Sequence, residues 1–360
     1  MRLPKRWMIT FLWILLVGMI CEEMSVRTSF AITSQSVPQS SGMIERERVR
    51  VPDIGPLPSS VPMPPANLNY KAKVDLGTQL FFDGRLSKNG AISCAFCHTP
   101  GLGFADPKQV SLGVDGKQGG RQAPTVYNTA FNPLQFWDGR AGSLEEQALG
   151  PIENPVEMAE THAHVVSKLS KIHGYQRQFQ AVFGTKVNMQ GIVEAIAAFE
   201  RTILSTNSPF DRYVLGDTAA MSEPAIRGMD LFKGKAHCLL CHNGPNFTDN
   251  QFHNLGVPQV GPMKEDLGRF YVTRLEKDKR AFKTPTLRSI TETAPYMHDG
   301  AFKTLEEVIV FLNKGGGSDS QKSSLLKPLS LTKTEQADLL AFLRALKGED
   351  IPFEFPDLPE

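Results

Sequence analysis

The sequence predicts a mainly α-helical protein built from two domains. Its 360 residues suffice for two domains at the usual length of roughly 100–200 residues each. Helical periodicity recurs along the chain, and no extensive sheet is indicated. A predicted helix precedes each of two Cys-x-x-Cys-His motifs, and another helix closes the chain. We therefore expect each motif to lie in its own helical domain.

Two parts of the first half have clear helical boundaries or faces. Residues 72–82 are predicted to be helical as far as Asp83-Gly84, and the apolar face consists of Leu76, Leu80 and Phe81. Residues 163–183 and 189–204 also have helical periodicity, and the second segment has an apolar stripe formed by Ile192, Ile196, Phe199 and Ile203. The glycine-rich residues 99–123 are predicted to form a loop.

Capping residues mark the helices of the second half. Ser222 is the expected N-cap of a helix that has Pro224 in its first turn and reaches Phe232. Thr332 and Glu335 have capping-box spacing, and their helix should run to about Lys347, packed through Leu339, Leu343 and Leu346.

The two motifs are Cys94-Ala95-Phe96-Cys97-His98 and Cys238-Leu239-Leu240-Cys241-His242, and they use four of the five cysteines. This pattern is the attachment signature of c-type haem: the two thiols form thioethers to the haem, and the histidine ligates the iron. We therefore predict two covalently bound haems, with Cys94, Cys97, Cys238 and Cys241 as attachment sites and His98 and His242 as iron ligands.

Two other interpretations of the motifs are a redox dithiol and half of a zinc site. Four-cysteine zinc sites usually separate their pairs by about 15–20 residues, whereas these pairs lie much further apart. A dithiol would not require a histidine directly after each pair. Both interpretations are therefore weaker than covalent haem.

Charge argues against nucleic acid or an anionic membrane surface as a partner, because 39 basic side chains are balanced by 38 acidic ones. At the N-terminus, basic residues precede an apolar run over residues 8–20, as in an export signal. Residues 1–31 are predicted to be a signal peptide or an uncleaved N-terminal anchor, with Cys21 as an incidental thiol. Residues 32–68 form a Ser/Pro-rich linker, and a periplasmic location follows from export.

Several longer motifs resemble the bacterial di-haem cytochrome c peroxidase and MauG family. They are Leu80-Phe81-Phe82-Asp83, Ala123-Pro124-Thr125-Val126-Tyr127-Asn128, Phe136-Trp137-Asp138-Gly139-Arg140, Phe282-Lys283-Thr284-Pro285-Thr286-Leu287-Arg288 and Ala294-Pro295-Tyr296-Met297-His298-Asp299-Gly300. The resemblance covers about residues 70–348. It implies two cytochrome c-like domains, over residues 69–215 with the peroxidatic haem and 216–350 with the electron-transfer haem.

The resemblance also implies the site around the first haem. In the peroxidase branch a distal histidine lies in the glycine-rich loop, where this chain has Val114. Because valine cannot ligate iron, this haem is expected to be open to peroxide unless the loop shifts and brings in another ligand. Glu157 is the implied general acid and base, and Gln147 and Pro151 shape the distal pocket.

Trp137 has the position of the tryptophan that relays electrons between the haems in this family. Asp138 and Arg140 are expected to form an ion pair or to bind haem propionates. The family's sixth ligand of the second haem, methionine or tyrosine, corresponds here to Leu312. Met297 is a weaker candidate ligand, and a five-coordinate or water-bound haem is an equal alternative.

The family also holds a calcium ion between its domains, and the matching positions are Gln122, Thr293 and Pro295. The expected function is reduction of hydrogen peroxide to water with electrons from a small exported cytochrome c or cupredoxin. Alternatives are MauG-like oxidation of side chains in a partner protein and, outside catalysis, a di-haem electron carrier or redox sensor. A homodimer is also expected from the family.

Overall fold

Helices dominate the computed structural model, which describes residues 52–68 and 70–360. The α-helices of the first half are α1 Lys71–Phe82, α2 Cys94–Cys97, α3 Leu144–Glu153, α4 His162–Leu169, α5 His173–Phe183 and α6 Met189–Glu200. Those of the second half are α7 Pro209–Val214, α8 Glu223–Lys233, α9 Phe270–Thr273, α10 Leu305–Asn313 and α11 Lys333–Arg344. The two short strands β1 Phe252–His253 and β2 Phe282–Lys283 pair antiparallel, with Phe252 opposite Lys283. The predicted mainly α fold class is confirmed.

Each half contains a pair of helices that cross at a glycine. A Cβ atom on Gly77 of α1 would overlap the carbonyl group of Ala195 in α6. In the same way, a Cβ on Gly228 of α8 would overlap the carbonyl of Asp338 in α11. Because glycine allows the two backbones to approach this closely, the same packing device builds both halves.

Two hydrophobic clusters form the core of the described chain. The first gathers apolar residues of α1, α3, α4, α5 and α6, among them Leu76, Leu80, Phe81, Phe179, Ile192 and Phe199. The second gathers Phe210, Phe232, Ile309 and Phe342 and other residues of α7, α8, α10 and α11, together with Phe247 from the loop after the second motif. Full burial of each such side chain stabilises the fold by about 1.5–3 kcal/mol.

The two ends of the described chain pack on opposite halves. Ile54 belongs to the second cluster, and the guanidinium of buried Arg288 donates to the carbonyl of Gly55 (2.8 Å). Phe353, close to the C-terminus, stacks on Phe82 of the first half at 4.6 Å between ring centroids. Residues 52–58 and 351–360 thus extend beyond the predicted ranges 69–215 and 216–350, whose exact boundaries stay predictions.

Local predictions had mixed outcomes. The capping roles of Ser222, Thr332 and Glu335 are confirmed, because each side chain makes its expected bond to the helix N-terminus. The single helix over residues 163–183 is wrong: the chain forms α4 and α5, separated where Ile172 adopts an extended conformation. The helices expected to reach 204 and 347 end earlier, at Glu200 and Arg344.

The predicted leader lies outside the described residues. This applies to the signal or anchor at residues 1–31, with Cys21, and to residues 32–51 of the linker. In the described part of the chain, no helix combines the length and apolar character needed to cross a membrane.

Candidate active site

The first Cys-x-x-Cys-His motif forms one turn of helix that presents its histidine to a cavity. The backbone N–H of His98 donates to the carbonyl of Cys94 (2.9 Å), which closes the turn. The imidazole Nδ1–H donates to the carbonyl of Phe104 (3.3 Å), so Nε2 is left as the free ring nitrogen. Burial lowers the pKa of His98 and favours the neutral imidazole, which is the form that ligates iron.

The second motif repeats this geometry. The N–H of His242 donates to the carbonyl of Cys238 (2.8 Å), and its Nδ1–H donates to the carbonyl of Phe247 (2.9 Å). Phe104 and Phe247, which supply the two carbonyls, both have left-handed backbones, with φ of 48° and 52°. Burial also lowers the pKa of His242. Each motif therefore offers a neutral, oriented imidazole.

The cavities beside the motifs suit covalent haem. Cys94, Cys97 and His98 line a cavity of about 410 Å³, here called the N-terminal cavity. Cys238, Cys241 and His242 line one of about 950 Å³, the C-terminal cavity. Both volumes are in the range of cofactor sites. All four motif cysteines are free of disulfides, so their thiols are available for thioether bonds.

The N-terminal cavity is bounded by one face of α3. The hydroxyl of Ser143 caps this helix by accepting from the N–H of Glu146 (3.1 Å). Gln147 and Pro151, four positions apart, share the face that lines the cavity, together with Leu144 and Ala148. The structure therefore brings Gln147 and Pro151 to the cavity of His98.

Glu157 reaches the same cavity from the loop after α3. Its Oε1 accepts from the side-chain amide of Asn154 (2.5 Å). Burial raises the pKa of Glu157, while Arg140 and Asn154 oppose the shift. A buried carboxyl with a raised pKa beside the imidazole of His98 is suited to bind and release a proton in the cavity.

Val114 is buried next to the backbone of Glu157. Its side chain is buried in the first hydrophobic cluster, and its N–H donates to the carbonyl of Glu157 (2.8 Å). Among the described residues lining the N-terminal cavity, His98 is the sole histidine. Two thioethers line it, those of Met158 and of Met263 from the second half, and neither residue belongs to the 99–123 loop.

The C-terminal cavity is bounded by the equivalent face of α10, which is apolar. Leu305, Val308, Ile309 and Leu312 line it. The structure thus brings Leu312 to the cavity of His242, at the place where the sequence comparison expected a ligand. Met297 also lines this cavity.

Trp137 lies between the cavities and lines both of them. Its indole N–H donates to the carbonyl of Gln122 (2.9 Å), and the N–H of Gln122 donates to the carbonyl of His298 (2.9 Å). Two hydrogen bonds therefore link the aromatic side chain of Trp137 to the backbone of the C-terminal cavity.

The residues next to Trp137 form ion pairs around the buried carboxylate of Asp138. Asp138 pairs with Arg140 (3.0 Å) and with Arg121 (2.7 Å), and Arg121 in turn pairs with Asp266 (2.6 Å). The expected pairing of Asp138 with Arg140 is present. Arg121 and Asp266, which had no predicted role, connect the wall of the N-terminal cavity to that of the C-terminal cavity.

The three residues matched to calcium lie together. Gln122, Thr293 and Pro295 all line the C-terminal cavity, and the side-chain N–H of Gln122 donates to the carbonyl of Asp106 (3.1 Å). Amide and carbonyl oxygens are ligands that calcium accepts. Calcium itself stays a prediction.

His298 is a cavity residue to which sequence analysis assigned no ligand or catalytic role. Its ring stacks on Phe282 at 3.6 Å, it is buried, and its Nε2 has no hydrogen-bond partner among the described residues. Burial lowers its pKa to about 4, so the imidazole is neutral. Since His298 lines the C-terminal cavity, haem carboxylates are suitable partners for this nitrogen.

An internal repeat underlies these parallels and was also missed from the sequence. Residues 123–153 align with 284–314 at a constant separation, so that Pro124-Thr125 matches Pro285-Thr286 and Leu144-Glu145-Glu146 matches Leu305-Glu306-Glu307. The structure repeats as well: bridges Gln135–Ala141 and Tyr296–Phe302 precede the two capped helices. Within this repeat Trp137 matches His298, and Pro151 matches Leu312.

Comparison with known proteins agrees with this geometry. The family model for di-haem cytochrome c peroxidase matches residues 71–219. A cytochrome-c peroxidase named IdrP1 from Pseudomonas sp. (strain SCT) is 39% identical over 86% of this chain and 89% of its own length. The methylamine utilization protein MauG of Methylorubrum extorquens is 42% identical over 84% of this chain and 86% of its own.

One solved structure is similar in both sequence and fold. It is a MauG-like protein associated with microbial copper homeostasis, 33% identical, with a TM-score of 0.75. The match covers 81% of this chain and 95% of that protein. The two-domain cytochrome c-like architecture is therefore shared along most of the chain.

Proposed function

The chain belongs to the di-haem cytochrome c peroxidase and MauG family, and from this premise we propose that it reduces hydrogen peroxide to water in the N-terminal cavity. The overall reaction consumes one peroxide, two electrons and two protons and yields two waters. Electrons from a small cytochrome c or cupredoxin would enter through the C-terminal haem. Export to the periplasm, where such donors occur, is part of the proposal.

The observation that carries this proposal is the meeting of Gln147, Pro151 and Glu157 with His98 in one cavity. His98 would hold the haem iron from one side. The haem, when bound, supplies the iron that binds peroxide and the electrons that cleave it. The protein's own part is to hold peroxide and to move protons.

Glu157 would take the proton from the peroxide oxygen nearer to the iron and deliver it to the outer oxygen, which leaves as water. The side-chain amide of Asn154 keeps one carboxylate oxygen in place (2.5 Å). The amide of Gln147 would hydrogen-bond the bound peroxide, and the ring of Pro151 would restrict the remaining space.

Trp137 would relay electrons from the C-terminal cavity to the N-terminal one. Its position on the walls of both cavities supports this role. Calcium bound at Gln122, Thr293 and Pro295 would hold the same region together, because these residues flank the hydrogen-bonded link from Trp137 to His298.

MauG-like oxidation of a partner protein is the second candidate. The 42% sequence identity to MauG favours it. An open N-terminal haem would serve this reaction as well as peroxide reduction. Leu312, in the place of the MauG tyrosine, weakens this candidate, because its side chain cannot ligate iron.

The proposal is tested by Glu157→Gln, with Glu153→Gln as the matched control because Glu153 is exposed on the same segment. We expect Glu157→Gln to retain both haem spectra and to lose peroxide turnover by about 10²–10⁴-fold, measured with a reduced small cytochrome c as donor. Glu153→Gln should match the wild type. Retained turnover in Glu157→Gln would show that this carboxyl does not move the proton.

A further inference from the structure

A second carboxyl faces the N-terminal cavity without a role in the proposed reaction. Glu200 is the last residue of α6, its side chain lines the cavity, and it is only 6% exposed. Its Oε2 has no hydrogen-bond partner among the described residues. An unpaired, buried carboxyl costs stability, so packing alone does not explain its presence.

The C-terminal half shows what packing alone would select. The two helix crossings match: Phe199 packs beside Gly77, and Phe342 packs beside Gly228. The next residue is Glu200 in α6 and Leu343 in α11, and each lines the haem cavity of its own half. The fold therefore accepts leucine at this place, and the carboxyl is particular to the N-terminal cavity.

We propose that Glu200 is the residue that stores a proton inside the N-terminal cavity and binds it more tightly when the haem there is reduced. This inference rests on the proposed peroxidase function and adds a source for one of the two protons that the reaction consumes. Because reduction adds a negative charge to the cavity, a nearby carboxyl then binds its proton more tightly.

A chain of polar groups begins at the residue next to Glu200. The neighbouring Arg201 pairs with Glu145 of α3 (2.8 Å), which in turn accepts from the side chain of Asn67 (2.6 Å). Asn67 also accepts from Lys73 of α1 (2.8 Å). These groups form a largely buried polar network beside Glu200.

The charged groups around Glu200 shift its pKa in opposite directions. Burial is the main cause that raises the pKa of Glu200, to about 8; Arg201 opposes the shift and Glu145 adds to it. The other titratable groups on packed elements are Lys73 of α1, Cys94 and His98 of the motif, Glu157 beyond α3, and His164 and Lys168 of α4, which pair with Glu160. Glu200 is thus protonated at neutral pH and can exchange its proton in mildly alkaline solution.

The test counts protons in the haem-loaded protein and needs no peroxide. Wild type, Glu200→Gln and the control Glu194→Gln are reduced electrochemically near pH 8 with a pH-indicator dye. Glu194 lies on the same helix but hydrogen-bonds Gln190 outside the cavity. We expect the wild type and the control to bind up to about half a proton more per molecule than Glu200→Gln, because a carboxyl with a pKa of about 8 is half protonated at this pH before reduction.

The midpoint potential of the N-terminal haem provides the second readout. Well above pH 8 it should fall by about 59 mV per pH unit in the wild type, whereas it should be nearly independent of pH in Glu200→Gln. Glu200→Leu, which installs the residue of the other half, replaces Glu200→Gln if the amide disturbs folding. Its midpoint potential should be equally independent of pH. Equal proton counts and equal slopes in all variants would overturn the inference, whether or not the protein reduces peroxide.

Discussion

The N-terminal and C-terminal cavities share one backbone plan and differ in the side chains placed on it. Both have a Cys-x-x-Cys-His turn, a carbonyl that orients the histidine, and a capped helix across the cavity. On that helix Gln147 and Pro151 occupy the places that Val308 and Leu312 occupy in the other half. One cavity can bind a small polar substrate, whereas the other presents an apolar wall.

The titratable groups differ as well. Burial raises the carboxyl pKa of Glu157 and raises that of Glu200 to about 8 in the N-terminal cavity. In the C-terminal cavity burial lowers the pKa of Lys283 to about 8 and that of His298 to about 4. The difference teaches that, under the proposed function, a few cavity residues on a repeated scaffold distinguish the site that handles protons from the site that transfers electrons.

The largest expected effect is on the pH dependence of the free energy of unfolding, and it concerns Glu200 in the N-terminal cavity. The pKa of Glu200 is raised, so its protonated form stabilises the fold at low pH, and this contribution is lost as pH rises from about 4.5 to about 8. Relative to Glu200→Gln, the wild type should lose on the order of 5 kcal/mol across this range. Denaturant unfolding of the haem-loaded proteins at several pH values measures it; parallel curves would contradict it.

The next prediction exchanges residues between the distal helices. Gln147→Val gives the N-terminal cavity the side chain of its counterpart Val308, removes a hydrogen-bond donor, and should lower peroxide turnover by about 100-fold. The reciprocal Val308→Gln is the control and should leave turnover within about twofold. Steady-state peroxide consumption decides, and equal losses in both variants would mean that the two helices do not have separate roles.

A third prediction concerns the glycine at the helix crossing that both halves share. Gly228→Ala should reduce the free energy of unfolding by about 1–3 kcal/mol, because its Cβ would overlap the carbonyl of Asp338. Gly77→Ala should cost a similar amount at the other crossing. Gly55→Ala, where no atom lies within 4 Å of the added Cβ, is the control. Chemical denaturation measures all three, and an unchanged Gly228→Ala would exclude a close crossing.

The smallest expected effect concerns the apolar wall. Leu312→Met places a thioether on the face of α10 that lines the C-terminal cavity, so it should give the C-terminal haem a histidine–methionine absorption spectrum and raise its potential. Val310→Met, on the same helix but away from the cavity lining, should change neither. Unchanged spectra in Leu312→Met would mean that Leu312 does not lie over the iron.

The sequence allowed the covalent and local features to be predicted. Cys94, Cys97 and His98 are adjacent in the chain, so their spacing alone indicates haem attachment. The caps at Ser222 and Thr332 are equally local, since each bond spans three residues. The helix over 163–183 failed because periodicity does not report a brief interruption such as Ile172, whose apolar side chain continues the pattern.

Only the tertiary structure decided which side chains share a cavity. Glu157, Gln147 and Trp137 were located through family motifs, but their meeting with His98 depends on how α3 and the loops on either side of it pack around the cavity. Glu200 stood beside the predicted apolar stripe of α6, and nothing in the stripe shows that this edge of the helix borders a cavity. Its environment, like those of Met263 and His298, is created by residues distant in the chain. A linear pattern records which faces are apolar, whereas burial and charge at a site depend on contacts that form only on folding.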